Sequence, residues 1–120
     1  MEDDKSNMDF VSTPRMEGDA AITQIRGEID LHNSPDLRSA IFEMLAKSNI
    51  KRLILNLSKV PYMDSSAIAV LVEALQRLRP TGGRVMLVDL QPRVKGLLQI
   101  ARLDSIFFLA DSEQQALAQK

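Results

Sequence analysis

Two serines directly after an aspartate, Asp64-Ser65-Ser66, are the residues of this sequence whose types and position most clearly permit chemistry. They follow residues 52–57, which have the pattern of a buried strand, and precede residues 67–71, an apolar run that opens a helix. The start of a helix carries unpaired backbone N–H groups and a partial positive charge. A hydroxyl there can cap the helix, or it can carry a phosphate, which adds roughly −1.5 to −2 charges. Spacing alone leaves both interpretations open.

A different interpretation makes Ser65 the nucleophile of a hydrolase, which also needs a base and an orienting acid. His32, the one histidine of the chain, and Asp30 or Asp64 would complete such a triad on paper. Nothing in their spacing requires the three side chains to meet. The glycines that flank the serine of a nucleophile elbow are missing, because methionine and alanine occupy those positions. The sequence therefore disfavours the hydrolase interpretation, and the single histidine is more simply a loop or surface residue.

Other polar and glycine-rich positions give weaker signals. Glu28 and Asp30 permit an acid–base pair, although a charged turn after Gly27 is the simpler interpretation. Gly82-Gly83 is not a phosphate-binding loop, because no lysine–serine or lysine–threonine pair follows it and it precedes a strand. The chain has no cysteine, and its single histidine cannot form a histidine-rich site. We therefore expect neither a metal nor a cofactor.

Composition limits the class of protein further. With 120 residues, 45% of them apolar, the chain has the size and hydrophobicity of one globular domain. Fifteen basic residues nearly balance sixteen acidic ones, which argues against direct nucleic-acid binding. No apolar run approaches the roughly 20 residues that cross a bilayer, and the acidic N-terminus lacks an apolar signal core. We expect a cytoplasmic protein with a flexible tail over residues 1–8 and one domain over residues 9–120.

Strands and helices are predicted to alternate along the chain. The predicted elements are a hairpin of Phe10-Val11 and residues 20–26 around a Gly18-Asp19 turn, a helix over 35–47 capped by Ser34, a strand over 50–57, a helix over 65–79, a strand over 84–88, a helix opened by Pro92, a strand over 106–109 and a terminal helix after Ser112. This order predicts an α/β domain with a partly parallel sheet. In such a sheet, functional groups gather at the carboxyl ends of the strands, where the loop over residues 58–64 lies.

Two patterns predict how these elements are buried. Leu53, Leu55 and Leu57 alternate along one face of their strand, and Ile54 lies on the other face, so both faces of the sheet should be covered. The helix after the two serines repeats apolar residues at helical spacing. Its predicted buried stripe consists of Ile68, Leu71, Val72, Leu75 and Leu78.

Several motifs, in this order, resemble the STAS domains of bacterial anti-sigma factor antagonists. They are Gly27-Glu28-Ile29-Asp30, Leu55-Asn56-Leu57 leading into Met63-Asp64-Ser65-Ser66, Gly82-Gly83, and residues 104–107. The resemblance extends from about residue 22 to residue 117. It implies a STAS-like single domain, with a mixed β-sheet of about four to five strands packed with about four helices. Two family glycines are replaced by Ala67 and Ala69, and alanine favours a helix by about 1 kcal/mol per residue.

The resemblance implies a switch rather than an enzyme. In this family an anti-sigma factor that is also a serine kinase phosphorylates the serine after the motif aspartate. That serine is Ser65 here, with Ser66 as its competitor. The unphosphorylated antagonist binds the kinase and frees the sigma factor, and a serine phosphatase resets the phosphorylated form.

The resemblance also implies a contact surface and a monomer that forms hetero-complexes, with no membrane partner. The residues expected to contact the kinase are Asp30, Met63, Asp64, Ser65, Ser66, Ala67 and Ile68. Two alternatives remain at this point. The first is a STAS subunit of a transport or lipid-trafficking assembly, although such domains often lack the acceptor serine. The second is a nucleotide-binding module.

Overall fold

Strands and helices alternate along the whole described chain, as the sequence predicts. The computed structural model describes residues 10–47 and 49–119. Its strands are β1 Arg15–Glu17, β2 Ala20–Arg26, β3 Arg52–Lys59, β4 Arg84–Val88 and β5 Phe108–Ala110. Its α-helices are α1 Ser34–Lys47, α2 Ser65–Leu78, α3 Pro92–Ile100 and α4 Glu113–Ala118. The tail predicted over residues 1–8 lies outside the described residues.

The five strands form one mixed sheet in the order β1-β2-β3-β4-β5. β1 pairs antiparallel with β2, while β2, β3, β4 and β5 pair parallel to one another. Each parallel pair requires a crossover connection, and α1, α2 and α3 supply these. The carboxyl ends of β2, β3 and β4 therefore meet at one edge of the sheet, which confirms the predicted α/β class.

β3 runs through the middle of the sheet and separates two apolar cores. Leu53, Leu55 and Leu57 pack on the face that α1, α2 and α3 cover, and all three side chains are fully buried. Ile54 faces the other side, where it packs with Ala116 of α4. This confirms the predicted covering of both faces. Burying each such side chain contributes roughly 1.5–3 kcal/mol, so β3 is a rigid support for the loop that follows it.

The N-terminal hairpin forms around the predicted Gly18-Asp19 turn, but its first strand is Arg15–Glu17 rather than Phe10-Val11. Val11 contributes only an isolated bridge to Ile25, and Phe10 has helical backbone. The proline at position 14 explains the shift, because it has no N–H to donate and regular pairing resumes only after it.

Three other elements differ from the prediction in their boundaries. β3 is Arg52–Lys59 rather than residues 50–57. Ser34 is the first residue of α1 rather than its cap, because its N–H already donates to the Asp30 carbonyl at 2.8 Å. The last strand begins at Phe108, since the N–H groups of Ile106 and Phe107 donate to the carbonyl of Leu103 in a turn. The side chain of Phe107 is still buried in the core. The apolar pattern therefore predicted the burial of this residue correctly, but it predicted strand where the backbone forms a turn.

The buried face of α2 is rotated slightly from the predicted stripe. Leu71, Leu75 and Leu78 are buried as predicted, but Ile68 and Val72 are only half-buried. Small side chains take their places against the sheet, namely Ala67, Val70 and Ala74. The two alanines leave room for α2 to approach the sheet, and the rotation leaves Ile68 partly at the surface, one turn after the start of the helix.

Candidate functional site

Two loops meet at the carboxyl edge of the sheet and form the candidate site. One follows β3 and leads into α2, and the other follows β2 and leads into α1. They are paired through a parallel bridge between Ile29 and Met63. The N–H of Ile29 donates to the Tyr62 carbonyl at 3.0 Å, and the N–H of Asp64 donates to the Ile29 carbonyl at 3.0 Å. Because Ile29 and Met63 are buried, both loops are anchored to the core.

Asp64, and neither of the serines, is the N-cap of α2. One carboxylate oxygen, Oδ1, accepts hydrogen bonds from the Ser66 N–H at 2.9 Å and the Ala67 N–H at 3.4 Å. The same oxygen accepts the Ser66 hydroxyl at 2.6 Å. The other oxygen, Oδ2, accepts the N–H of Leu31 at 3.1 Å. A single carboxylate therefore caps α2 and also ties its start to the loop after β2.

These contacts keep the Asp64 side chain ionised. The hydrogen bond from the Ser66 hydroxyl lowers the pKa of the carboxyl below its ordinary value, and the N–H groups of Ala67, Ser66 and Leu31 lower it further. Partial desolvation acts in the opposite direction but is outweighed. The start of α2 therefore already holds one negative charge, directly before Ser65.

The two serines are placed differently, although they are adjacent in sequence. Ser65 is the first residue of α2 and is exposed, and its hydroxyl has no hydrogen-bond partner in the described part of the chain. Ser66 is half-buried, and its hydroxyl is committed to the Asp64 carboxylate. Spacing left open whether a serine hydroxyl caps the helix, and the structure shows that Asp64 is the cap instead. Of the two hydroxyls, that of Ser65 is free to react.

Asp30 belongs to a tightly hydrogen-bonded turn beside the start of α2. Its carboxylate accepts the His32 N–H at 2.9 Å, and its own N–H donates to the Asn33 side-chain oxygen at 2.9 Å. The Asn33 amide donates in turn to the Glu28 carbonyl at 2.9 Å. The charged-turn interpretation of residues 28 and 30 is therefore the one that the geometry supports.

The hydrolase triad is not assembled. Within residues 10–47 and 49–119, no hydrogen bond joins the His32 ring to Ser65 or to Asp64. The Asp64 carboxylate accepts hydrogen bonds from the start of α2, and the Asp30 carboxylate accepts the N–H of His32 within its own turn. In the same residues, no group of three His, Cys, Asp or Glu side chains could hold a metal ion.

The residues predicted to contact a partner differ in accessibility. Ser65 is exposed, and Asp30, Asp64, Ser66 and Ile68 are half-buried. Met63 and Ala67 are 1% and 0% exposed, so they support the surface from beneath.

Leu31 was not among the residues predicted to contact a partner, although the turn holds it beside Asp64 with 75% of its surface exposed. The available signal was an apolar residue within a polar turn, directly after Asp30.

One groove in the structure lies apart from the junction between β3 and α2. This groove of about 300 Å³ lies between the segment around β1 and helix α1, and none of the predicted site residues lines it. As for membrane association, no helix in the described ranges has both the length and the apolar character needed to span a bilayer.

Replacing Asp64 with asparagine is expected to lower the melting temperature at neutral pH and to flatten its acid dependence. Asparagine is a good cap but carries no charge, so it loses the charge-assisted bonds to Ser66 and Leu31. Because the pKa of Asp64 is lowered in the folded state, its stabilisation is present above the ordinary pKa of 3.8 and is lost as the pH falls below that value. The gap between the parent and the variant should therefore narrow in acid.

Thermal unfolding followed by circular dichroism from neutral to acidic pH measures this gap. Asp104→Asn is the matched control, because Asp104 is exposed and its side chain makes no hydrogen bond or ion pair within the described ranges. A gap for Asp64→Asn that stays constant down to the most acidic pH would contradict the assigned role of the carboxylate.

Comparison with known proteins gives a consistent picture. Residues 11–116 match the model of the STAS domain family. The chain is 29% identical over 98 residues to the anti-sigma F factor antagonist of Paenibacillus polymyxa, an overlap of 82% of this chain and 84% of that protein. It is 35% identical over 88 residues to YvdB of Bacillus subtilis, provisionally named a sulfate transporter, but that overlap is 73% of this chain and 16% of YvdB.

The fold is also similar to a solved structure. The crystal structure of a Thermotoga maritima protein, provisionally named an anti-sigma factor antagonist, superposes with a TM-score of 0.81 at 25% identity. The similarity covers 88% of this chain and 90% of that one.

Proposed function

The chain belongs to the STAS domain family, and from that membership we propose that it is an anti-sigma factor antagonist switched by phosphorylation of Ser65. The unphosphorylated protein binds an anti-sigma factor that is also a serine kinase, and this frees a sigma factor. Phosphorylation of Ser65 dissociates the complex, and a serine phosphatase restores the binding form. The protein acts in the cytoplasm, as a monomer that forms hetero-complexes, and by binding rather than by catalysis.

The free hydroxyl of Ser65 is the observation that carries this proposal. It is exposed at the first position of α2, and no hydrogen bond within the described residues has to break before it reacts. The capping role that a serine commonly takes at this position is filled by Asp64. A phosphate at the start of a helix also lies near the positive end of the helix dipole.

Ser66 is a poorer acceptor for the opposite reasons. Its hydroxyl donates to Asp64 Oδ1 at 2.6 Å, so phosphorylation would remove a hydrogen bond of the cap. The new phosphate would also lie against the carboxylate that the hydroxyl now contacts, and like charges at that distance repel. This geometry supports Ser65 over Ser66.

Dissociation follows from the charge that the phosphate brings. The surface around Ser65 already holds the ionised Asp64 and the apolar side chains of Leu31 and Ile68. A partner that packs against such a surface must desolvate a dianion once Ser65 is phosphorylated, or bring acidic groups close to it. Either event lowers affinity.

Incubation with ATP and a purified anti-sigma factor of the serine-kinase type from the same organism is expected to add one phosphate to Ser65. Tryptic digestion and fragmentation by mass spectrometry separate Ser65 from Ser66. Ser66→Ala is the matched control, and it should be phosphorylated to the same extent as the parent. A phosphate found on Ser66, or no phosphate in either protein, would overturn the site assignment.

A second candidate, a STAS subunit of a transport assembly, has the 35% identity to YvdB in its favour. Against it, the match covers 16% of YvdB, whereas the match to the Paenibacillus polymyxa antagonist covers 84% of that protein. Affinity purification of the tagged protein tests this candidate directly. Recovery of a membrane transporter would favour it, and recovery of a serine kinase would favour the antagonist.

A further inference from the structure

Leu31 is an apolar side chain displayed in water on a polar turn. It is 75% exposed, and the residues beside it in the turn are Asp30, His32 and Asn33. A single exposed apolar residue is common and carries no meaning by itself. Two further observations distinguish Leu31, namely the rigidity of its turn and its position beside Ser65.

The backbone that presents Leu31 is held on both sides by hydrogen bonds. The N–H of Ser34 donates to the Asp30 carbonyl at 2.8 Å, and that of Asn33 donates to the same oxygen at 3.1 Å. The side chains of Asp30 and Asn33 close the turn through the bonds described above. A side chain on such a fixed backbone loses little further freedom when it binds, which favours affinity.

Leu31 is also tied directly to the start of α2. Its N–H donates to Asp64 Oδ2 at 3.1 Å, and Ser65 is the next residue after Asp64. The buried bridge between Ile29 and Met63 fixes the two loops side by side. The turn that carries Leu31 therefore adjoins the start of α2, and a partner that covers Ser65 and Asp64 is placed to cover this turn as well.

We infer that Leu31 is the apolar anchor through which this protein docks on the serine kinase. The inference rests on the proposed function and adds a statement about the partner. The kinase must present an apolar pocket next to the place where it receives Ser65. An anchored leucine beside the reacting serine aligns it, so losing the anchor weakens binding and substrate capture rather than phosphoryl transfer itself.

Leu31→Ser is expected to raise the dissociation constant for the kinase at least tenfold and to raise the KM of phosphorylation similarly. The kcat and the melting temperature should stay close to those of the parent, since an exposed side chain contributes little to folding. Leu31→Met should bind within about threefold of the parent, because methionine keeps the volume and the apolar character.

Ile100→Ser is the matched control. Ile100 is 83% exposed, but α3 leaves the carboxyl edge of the sheet after β4 and ends with Ile100 toward the opposite edge, away from Ser65. Its loss should leave both constants unchanged.

The outcomes separate this inference from the proposed function. If the parent is phosphorylated on Ser65 and Leu31→Ser binds equally well, the inference is overturned and the proposed function stands. Equal losses in Leu31→Ser and Ile100→Ser would also overturn it, because the effect would then not be local to the site. If the parent neither binds the kinase nor becomes phosphorylated, the proposed function fails and the inference fails with it.

Discussion

Replacing Ser65 with aspartate is expected to lower the affinity for the unmodified kinase more than a hundredfold. The substitution places a permanent negative charge at an exposed position that a partner must cover, directly after the ionised Asp64. A penalty of about 3 kcal/mol for desolvating and opposing that charge corresponds to such a change. Isothermal titration calorimetry or surface plasmon resonance with the purified kinase measures it.

Two controls separate charge from shape at position 65. Ser65→Asn has nearly the shape of the aspartate variant without its charge, so it should keep most of the affinity. Ser65→Ala should bind like the parent and accept no phosphate, so that ATP no longer dissociates its complex. The fold should survive in all three variants, because Ser65 is exposed and its hydroxyl makes no hydrogen bond within the described residues. Binding by Ser65→Asp within a few fold of the parent would contradict a charge-operated switch.

The general architecture could be predicted from local patterns because each pattern has a distinctive period. Alternation along β3 correctly placed Leu55 in one core and Ile54 in the other. The first strand of the hairpin could not be placed so well, since its short segment has poor alternation and a proline interrupts it. The start of the last strand was predicted two residues too early, because apolar residues such as Phe107 are buried in turns as well as in strands.

The candidate site could be located from the sequence, but its internal arrangement could not. Aspartate and serine are both common helix caps, so the string Asp64-Ser65-Ser66 does not reveal which side chain caps α2. The Asp64 carboxylate is also held by a residue that is distant in the sequence. The N–H of Leu31, 33 positions earlier in the chain, donates a hydrogen bond to its second oxygen, Oδ2. That contact exists only because β2 and β3 pair in parallel, and no local pattern encodes it.

The two alanines at positions where the resemblance leads us to expect glycines differ in their surroundings. Ala67 is fully buried, so its methyl group packs in the core beneath the site and does not face a partner. Ala69 is exposed near the start of α2, where an added methyl would lie between this protein and an approaching backbone. Any effect of these replacements on partner choice is therefore expected from Ala69, whereas Ala67 stiffens and fills the helix start.

Gly83→Ala is expected to destabilise the protein by about 1–3 kcal/mol, because the position has no room for a side chain. An added Cβ would lie 2.8 Å from the Lys51 carbonyl oxygen, 3.0 Å from the Leu78 Cβ and 3.1 Å from the Leu78 carbonyl oxygen. Two of these atoms belong to the backbone, which a rotamer change cannot move. The N–H of Gly83 also donates to the Leu78 carbonyl at 2.9 Å, so the end of α2 is held against this residue.

Urea unfolding followed by circular dichroism measures the free-energy difference, and Gly96→Ala is the matched control. Gly96 lies inside α3, and an added Cβ there would meet no atom within 4 Å. Because alanine favours a helix interior, Gly96→Ala should be as stable as the parent or more stable by up to about 1 kcal/mol. Opposite signs for the two identical substitutions would locate the effect in the close contact of Gly83 with the end of α2 and with Lys51, the residue before β3. A Gly83→Ala variant with the stability of the parent would show that this contact can open without loss.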